Sequence, residues 1–293
     1  MKIGVIQAGS QSAKNALIYE TVREYAPAGS EVIDLGCYEG ENFSYIEVSV
    51  LIGMLLGSGA CDFIVTGCSS GQGMMLACNN MPGVLCGYVP SPRDAYLFAQ
   101  INDGNAVSLP LGEDYTWSGS DNLRQTIEAL FSEPFGQGYP KSEAERKLKD
   151  TAMLKCIRRM SQISLSGLLR RLDRSLIEKL LTKRDVIGYI LGSGDNEITA
   201  LIREMQDAYS FGSYADDEIS AIRERAVKAA KGPWKAYAEG RDMECGSSFI
   251  RTQGEDIELI GASVDDLDFI AHARQDIPYL LDEIERLRPA DMI

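Results

Sequence analysis

The chain has 293 residues, 45% of them hydrophobic and 25% charged, with 29 Lys+Arg against 43 Asp+Glu, a formal charge of −14 and a single histidine. That length is ample for one large or two ordinary domains, and the negative balance excludes a general binder of nucleic acid or of anionic membranes, which needs a positive field. One histidine, His272, argues against histidine proton relays and most zinc centres, and no run approaches the roughly 18 apolar residues of a membrane span.

MKIGVIQAGS opens the chain with one lysine, a short apolar run and then turn chemistry, which predicts a first buried strand over Lys2–Gln7 and no signal peptide. Further strands are predicted over Glu31–Leu35, Asp62–Thr66, Val84–Val89 and Ala106–Leu109. Helical patterns fill the intervals at Ser12–Tyr25, Tyr45–Leu56, Gly73–Asn79 and Arg93–Gln100, with a last one at Asp121–Phe131. This βαβ rhythm implies a doubly wound, five-stranded parallel sheet, an α/β fold with helices on both faces. Ligands of such sheets bind beyond the carboxyl ends of the strands, here Gln7–Gln11, Gly36–Tyr45, Gly67–Gly73, Val89–Arg93 and Pro110–Ser118.

From residue 142 to about 208 the pattern is helical and basic, as in ERKLKDTAMLKCIRRM, and predicts an extension packed on the sheet domain or on a second subunit. Charge supports the division: residues 1–120 carry −8, 121–205 carry +3 and 206–293 carry −9. Arg158-Arg159 and Arg170-Arg171 read as a solvated face pairing with the acidic sheet domain. YSFGSYAD (209–216) reads as a linker. Residues 209–293 read as a small α+β module. Its strands are expected at Trp234–Ala238, Ser248–Thr252 and Ile257–Gly261, and an acidic amphipathic final helix is interrupted at Pro278. His272 sits on that helix as a surface or packing residue. The seven cysteines are odd in number and lack CxxC spacing, as expected of free thiols in a reducing cytoplasm.

The sharpest local feature is DFIVTGCSSGQGMML, in which a buried strand delivers Cys68, Ser69 and Ser70 into a glycine-rich turn that opens a helix. Such a turn presents unpaired N–H groups to an anion, and a thiol there has its thiolate favoured by the helix dipole. A small-residue turn holding an inert buried cysteine fits the same letters.

MKIGVIQ, EVIDLGCY, DFIVTGCSSGQGMMLACNNMPGV and AYLFAQINDGNAVSLPLG together resemble the ribose-5-phosphate isomerase type B and galactose-6-phosphate isomerase family over residues 1–141. The resemblance implies aldose–ketose interconversion of a sugar phosphate through a cis-enediolate. It also implies no metal or organic cofactor, and a homodimer or tetramer with shared active sites. It assigns Cys68 the general base and Ser70 the hydroxyl near the substrate ring oxygen. The amides of Ser69, Ser70, Gly71, Gln72 and Gly73 become the anion hole for the enediolate, and Tyr45, Asn102 and Asp103 the groups that orient substrate. Departures accompany these matches. The family's Asp-His pair falls on Ala8 and Gly9, leaving Gln7, Ser10 and Gln11 as the polar neighbours. Its ring-opening histidine is Ile101, and the arginines that hold phosphate are replaced by Lys141 and Arg146. Either the substrate is acyclic or opens spontaneously, or the chain is a catalytically inactive sugar-phosphate binder whose C-terminal module is an interaction surface. Retention of Cys68 and its glycines favours the first reading.

Overall fold

The computed structural model describes residues 1–115 and 117–287; of 209–218 and 285–287 only the backbone course is described. The strands are β1 (Lys2–Val5), β2 (Glu31–Asp34), β3 (Phe63–Cys68), β4 (Cys86–Tyr88) and β5 (Ala106–Pro110), all parallel and in the order β2-β1-β3-β5-β4. The helices between them are α1 (Asn15–Tyr25), α2 (Tyr45–Gly57), α3 (Gln72–Asn80), α4 (Pro92–Leu97) and α5 (Ser120–Phe131). The expected doubly wound sheet is therefore present. Alternation puts Ile3 and Val5, Phe63 and Val65, and Val107 and Leu109 on one face, where they meet Ile18 and Val22 of α1 and Leu123, Ile127 and Leu130 of α5. The chain leaves β1 for β2 on one side and returns to β3 on the other, so its direction of winding reverses between β1 and β3. Sheets of this kind open a crevice at that point.

The opposite face carries α2, in which every residue from Val48 to Leu55 is buried. A helix apolar all round needs cover on both sides. The sheet supplies one side, and the helical extension supplies the other through α7 (Leu165–Leu169), α8 (Arg174–Leu181) and α9 (Arg184–Ser193). Leu165 packs onto Gly57, Leu180 and Ile190 are fully buried, and the Asn196 amide donates to the Gly57 carbonyl at 2.9 Å. Between α5 and α7, α6 (Ala144–Ser161) is tied to the sheet domain by Thr151, whose hydroxyl donates to the Ile101 carbonyl at 2.6 Å.

The two arginine pairs do not form the expected face against sheet-domain carboxylates. Arg158 donates to the carbonyls of Asn79 and Val84, and Arg170 pairs with Glu204 at 3.1 Å within the extension. Backbone carbonyls left over at the end of α3 and before β4 compete for a guanidinium better than distant acids do.

The chain divides into two compact units, Met1–Gln206 and a second from Asp207 onward. The division falls inside α10 (Glu197–Lys228). Residues 209–216, read as a linker, are helical: strong helix formers on both sides outweigh one glycine, which costs about 1 kcal/mol. The second unit forms the antiparallel sheet β6 (Lys235–Tyr237), β7 (Phe249–Arg251) and β8 (Ile257–Glu258), against which α11 (Val264–Leu287) buries Leu267 and Ala271. Contrary to the sequence reading, α11 runs through Pro278 without interruption. On this exposed helix the lost bond frees only the Arg274 carbonyl, which water can satisfy. His272 is exposed, with Nδ1 2.7 Å from the Asp268 carbonyl oxygen. No helix among the described residues is long and apolar enough to cross a membrane.

Candidate active site

Cys68 ends β3, the central strand, at the reversal point. It lines a cavity of about 480 Å³ with Ser69, Ser70 and Gly73 from its own turn, Ala8 and Ser10 from the exit of β1, Asn42–Tyr45 from the β2–α2 loop, and Tyr115 after β5. The cysteine residue is 7% exposed and so is largely withdrawn from open solvent. Away from this cavity, burial pushes Cys37 and Cys61 each up to about 12, which keeps both protonated near neutrality.

The turn after Cys68 is built for close approach. Gly71 stands at φ 74°, a left-handed conformation that L side chains rarely adopt, and a Cβ there would lie 2.7 Å from the Tyr88 ring and 2.9 Å from the Leu109 backbone. The Ser108 hydroxyl donates to the Gly71 carbonyl at 2.6 Å, and the Gly112 amide donates to the Ser69 carbonyl at 2.8 Å. As at any helix start, the first amides of α3, from Gln72 onward, have no acceptor within the helix. This is the donor arrangement that stabilises a developing oxyanion. Gln11 does not line the cavity itself but backs it, its side-chain amide donating to Ser69 Oγ at 3.1 Å.

Tyr45 opens α2 just after its cap, where Ser44 Oγ accepts from the Glu47 amide at 3.3 Å and the Glu47 carboxylate accepts from the Ser44 amide at 2.6 Å. Burial opposes ionisation of Glu47, but hydrogen bonds from Lys179 and Ser44 hold its carboxyl below the usual carboxylate range. The β2–α2 loop then crosses Gly9, whose amide donates to the Phe43 carbonyl at 2.8 Å; a Cβ on Gly9 would lie 2.6 Å from the Glu41 carbonyl oxygen.

The remaining expected residues lie elsewhere in the chain. Asn102 and Asp103 precede β5, at the amino ends of the strands, so a strand's length of roughly 15 Å separates them from the Cys68 end of the sheet. Asp103 pairs there with Lys155 at 2.6 Å, and both line a second cavity of about 620 Å³ with Arg158 and Arg159. Lys141 sits in an exposed turn, and Arg146 is engaged by Glu143 and Asp150. Ile101 does not line the Cys68 cavity, and among the described residues no lysine or arginine does.

Sequence reasoning missed Asn42, Phe43, Ser44 and Tyr115 as lining residues, although the two segments holding them follow strand ends and were marked for that reason. It also missed Lys155, whose only signal is its place on a basic helix.

A model of the Ribose/Galactose Isomerase family matches residues 6–148. Ribose-5-phosphate isomerase B of Escherichia coli (strain K12) is 28% identical over 93 residues, 32% of this chain, and the match spans 62% of that relative's length, less than two thirds of it. Two solved structures are similar over more of the chain. A 4-deoxy-L-threo-5-hexosulose-uronate ketol-isomerase complexed with a tartrate is 36% identical, with a TM-score of 0.67 over 71% of this chain and 100% of that one. A ribose-5-phosphate isomerase from Vibrio parahaemolyticus is 33% identical, with a TM-score of 0.66 over 70% of this chain and 99% of that one.

Proposed function

The chain belongs to the ribose/galactose isomerase family, and on that premise we propose that it is an aldose–ketose isomerase acting on an open-chain, anionic ketol with Cys68 as the base. The observation that carries this reading is the seat of Cys68: it ends the central strand, beside a turn of helix-opening amides, and faces a cavity of about 480 Å³.

In the reaction the Cys68 thiolate takes the proton from the hydroxyl-bearing carbon. The C–H electrons form the C=C bond of a cis-enediolate, and the carbonyl electrons move onto oxygen. The amides of Ser69–Gly73 meet that charge in a site they need not reorganise to form. The proton of the neighbouring hydroxyl passes to the former carbonyl oxygen across the cis-enediolate. Return of the proton from sulfur to the former carbonyl carbon, as the other oxygen becomes the new carbonyl, completes the exchange. Ser70 and Tyr45 supply hydroxyls to the substrate oxygens. Ser10 and Gln11 border the opening where its anionic end lies.

Among the described residues the lining has no histidine and no carboxylate that could open a sugar ring, which favours a substrate already open, such as a tetrose phosphate. Asn102, Asp103, Lys141 and Arg146 reach this cavity only from a second copy of the chain, so the complete site takes two protomers. A carboxylate-ended ketol is the second reading. It is favoured by the cation-free lining, which suits a single negative charge better than a phosphate dianion, and by the keto-uronate in the name of the 36% identical ketol-isomerase.

The test is solvent deuterium incorporation at the carbons flanking the carbonyl, with four- to six-carbon sugar phosphates and 5-keto-uronates offered to wild type and Cys68→Ala. Exchange that the substitution abolishes supports the isomerase. Binding by calorimetry without exchange, for every compound, indicates the inactive sugar-phosphate binder instead.

A further inference from the structure

Lys183, between α8 and α9, has a side chain with no exposed surface. An ammonium so buried needs counter-charge and full hydrogen bonding, and Lys183 has both. Its Nζ lies 2.8 Å from each oxygen of Glu41 and 2.8 Å from Asp185, and 4.7 Å from the centre of the Tyr38 ring. Glu41 is no surface acid recruited by chance. Its carboxylate also accepts from the Tyr38 amide at 2.7 Å, and its own amide donates to the Tyr38 carbonyl at 3.1 Å, so the lysine closes the 38–41 turn from outside.

That turn leads directly into the cavity wall, since Asn42, Phe43, Ser44 and Tyr45 all line the Cys68 cavity. On its inner side the loop is tied to the exit of β1: Gln7 donates its side-chain amide to the Cys37 carbonyl at 2.8 Å, and Gly9 donates to Phe43. On its outer side it is tied to the extension. Lys183 holds Glu41, while Lys179 pairs with Glu47 at 2.9 Å and lies 5.7 Å from the centre of the Phe43 ring. The wall facing Cys68 thus hangs between two anchors, one of which comes from residues remote in sequence.

We infer that Lys183 is a positioning residue of the active site: by fixing Glu41 it sets the wall Asn42–Tyr45 against Cys68, so the helical extension determines how tightly the cavity holds its substrate. This rests on the cavity being the substrate site, and its consequence for the wall is measurable without any substrate.

The experiment compares wild type with K183M and with K183M/E41Q/D185N, which removes the tether without leaving unpaired buried carboxylates. Ile190→Ala, fully buried on α9 and outside the loop, is the control for general loosening. Alkylation of each cysteine by iodoacetamide is followed by peptide mapping, with Cys61, at the opposite end of the sheet, as the internal reference. Both Lys183 variants are expected to alkylate Cys68 at least about tenfold faster at unchanged Cys61 rate, while Ile190→Ala leaves Cys68 within about twofold. With a substrate in hand, KM rises about tenfold and kcat stays within about threefold. A Cys68 rate unchanged in the folded triple variant, or raised equally by Ile190→Ala, overturns the inference. If wild type shows no exchange with any ketol, the isomerase reading fails, and the alkylation arms still decide the role of Lys183.

Discussion

Cys68 is one of five buried cysteines, and what sets it apart is position. Cys37 and Cys61 are buried away from the cavity, whereas Cys68 lines it beside helix-opening amides. Replacing it with alanine should remove isomerisation and deuterium exchange by at least about 10³-fold while leaving the thermal midpoint within a few degrees, because the step needs a base and the fold does not need the sulfur. Gly71→Ala should act on stability first. The left-handed backbone and the 2.9 Å approach to Leu109 predict a loss of about 2 kcal/mol or more in urea unfolding, with activity falling as the turn shifts. Both residues were legible in the sequence, because a strand, a thiol and three glycines in seven positions leave few alternatives. Tyr115 and Asn42–Ser44 were not, since no local pattern says which residue of a loop turns toward the neighbouring strand's exit.

The helices carry a second kind of information. The central run of α2, VSVLIGMLL, is apolar at every position but Ser49 and Gly53, a signal that both its sides are covered, and α7 to α9 form the outer cover. Leu180→Ala should therefore cost about 2–5 kcal/mol in urea unfolding, the range for a fully buried leucine. What the pattern could not indicate was Lys183. A lysine inside LLTKRDV looks like a solvent residue, and only the fold brings Glu41 to it from 142 positions away. K183M should lose about 3 kcal/mol, at the low end for a broken buried pair, because Glu41 and Asp185 keep some access to water. The same region sets an alkaline limit. Folding raises the Cys37 and Cys61 thiols to about 12, so their stabilising contribution is complete below the unfolded thiol value near 9 and is lost as pH climbs toward 12. Each thiol removes about 1.4 kcal/mol per pH unit in that window. Urea midpoints at pH 8 and pH 10.5 should show the decline, and Cys37→Ala should reduce it.

At the scale of the molecule, the first compact unit is about the size of the relatives whose whole length aligns with some 70% of this chain. A fragment of residues 1–206 is expected to fold and to exchange deuterium within about threefold of the full chain, as judged by circular dichroism and isotope incorporation. The parallel sheet and its reversal point were readable from strand and helix alternation. The continuous α10 was not, because YSFGSY has turn composition and its helicity is imposed by its flanks. The lone histidine lies in the second unit, and no lysine or arginine among the described residues lines the Cys68 cavity, so the site has a thiol and amides where ring-opening and phosphate-binding groups are expected. The proposed function rests on one base, Cys68, acting on an open-chain ketol, and mass-spectrometric deuterium incorporation into such ketols in heavy water tests it most directly. The prediction is incorporation next to the carbonyl with at least one four- to six-carbon anionic ketol for wild type and none above background for Cys68→Ala. Equal incorporation by the two proteins, or none by wild type across the panel, would contradict it.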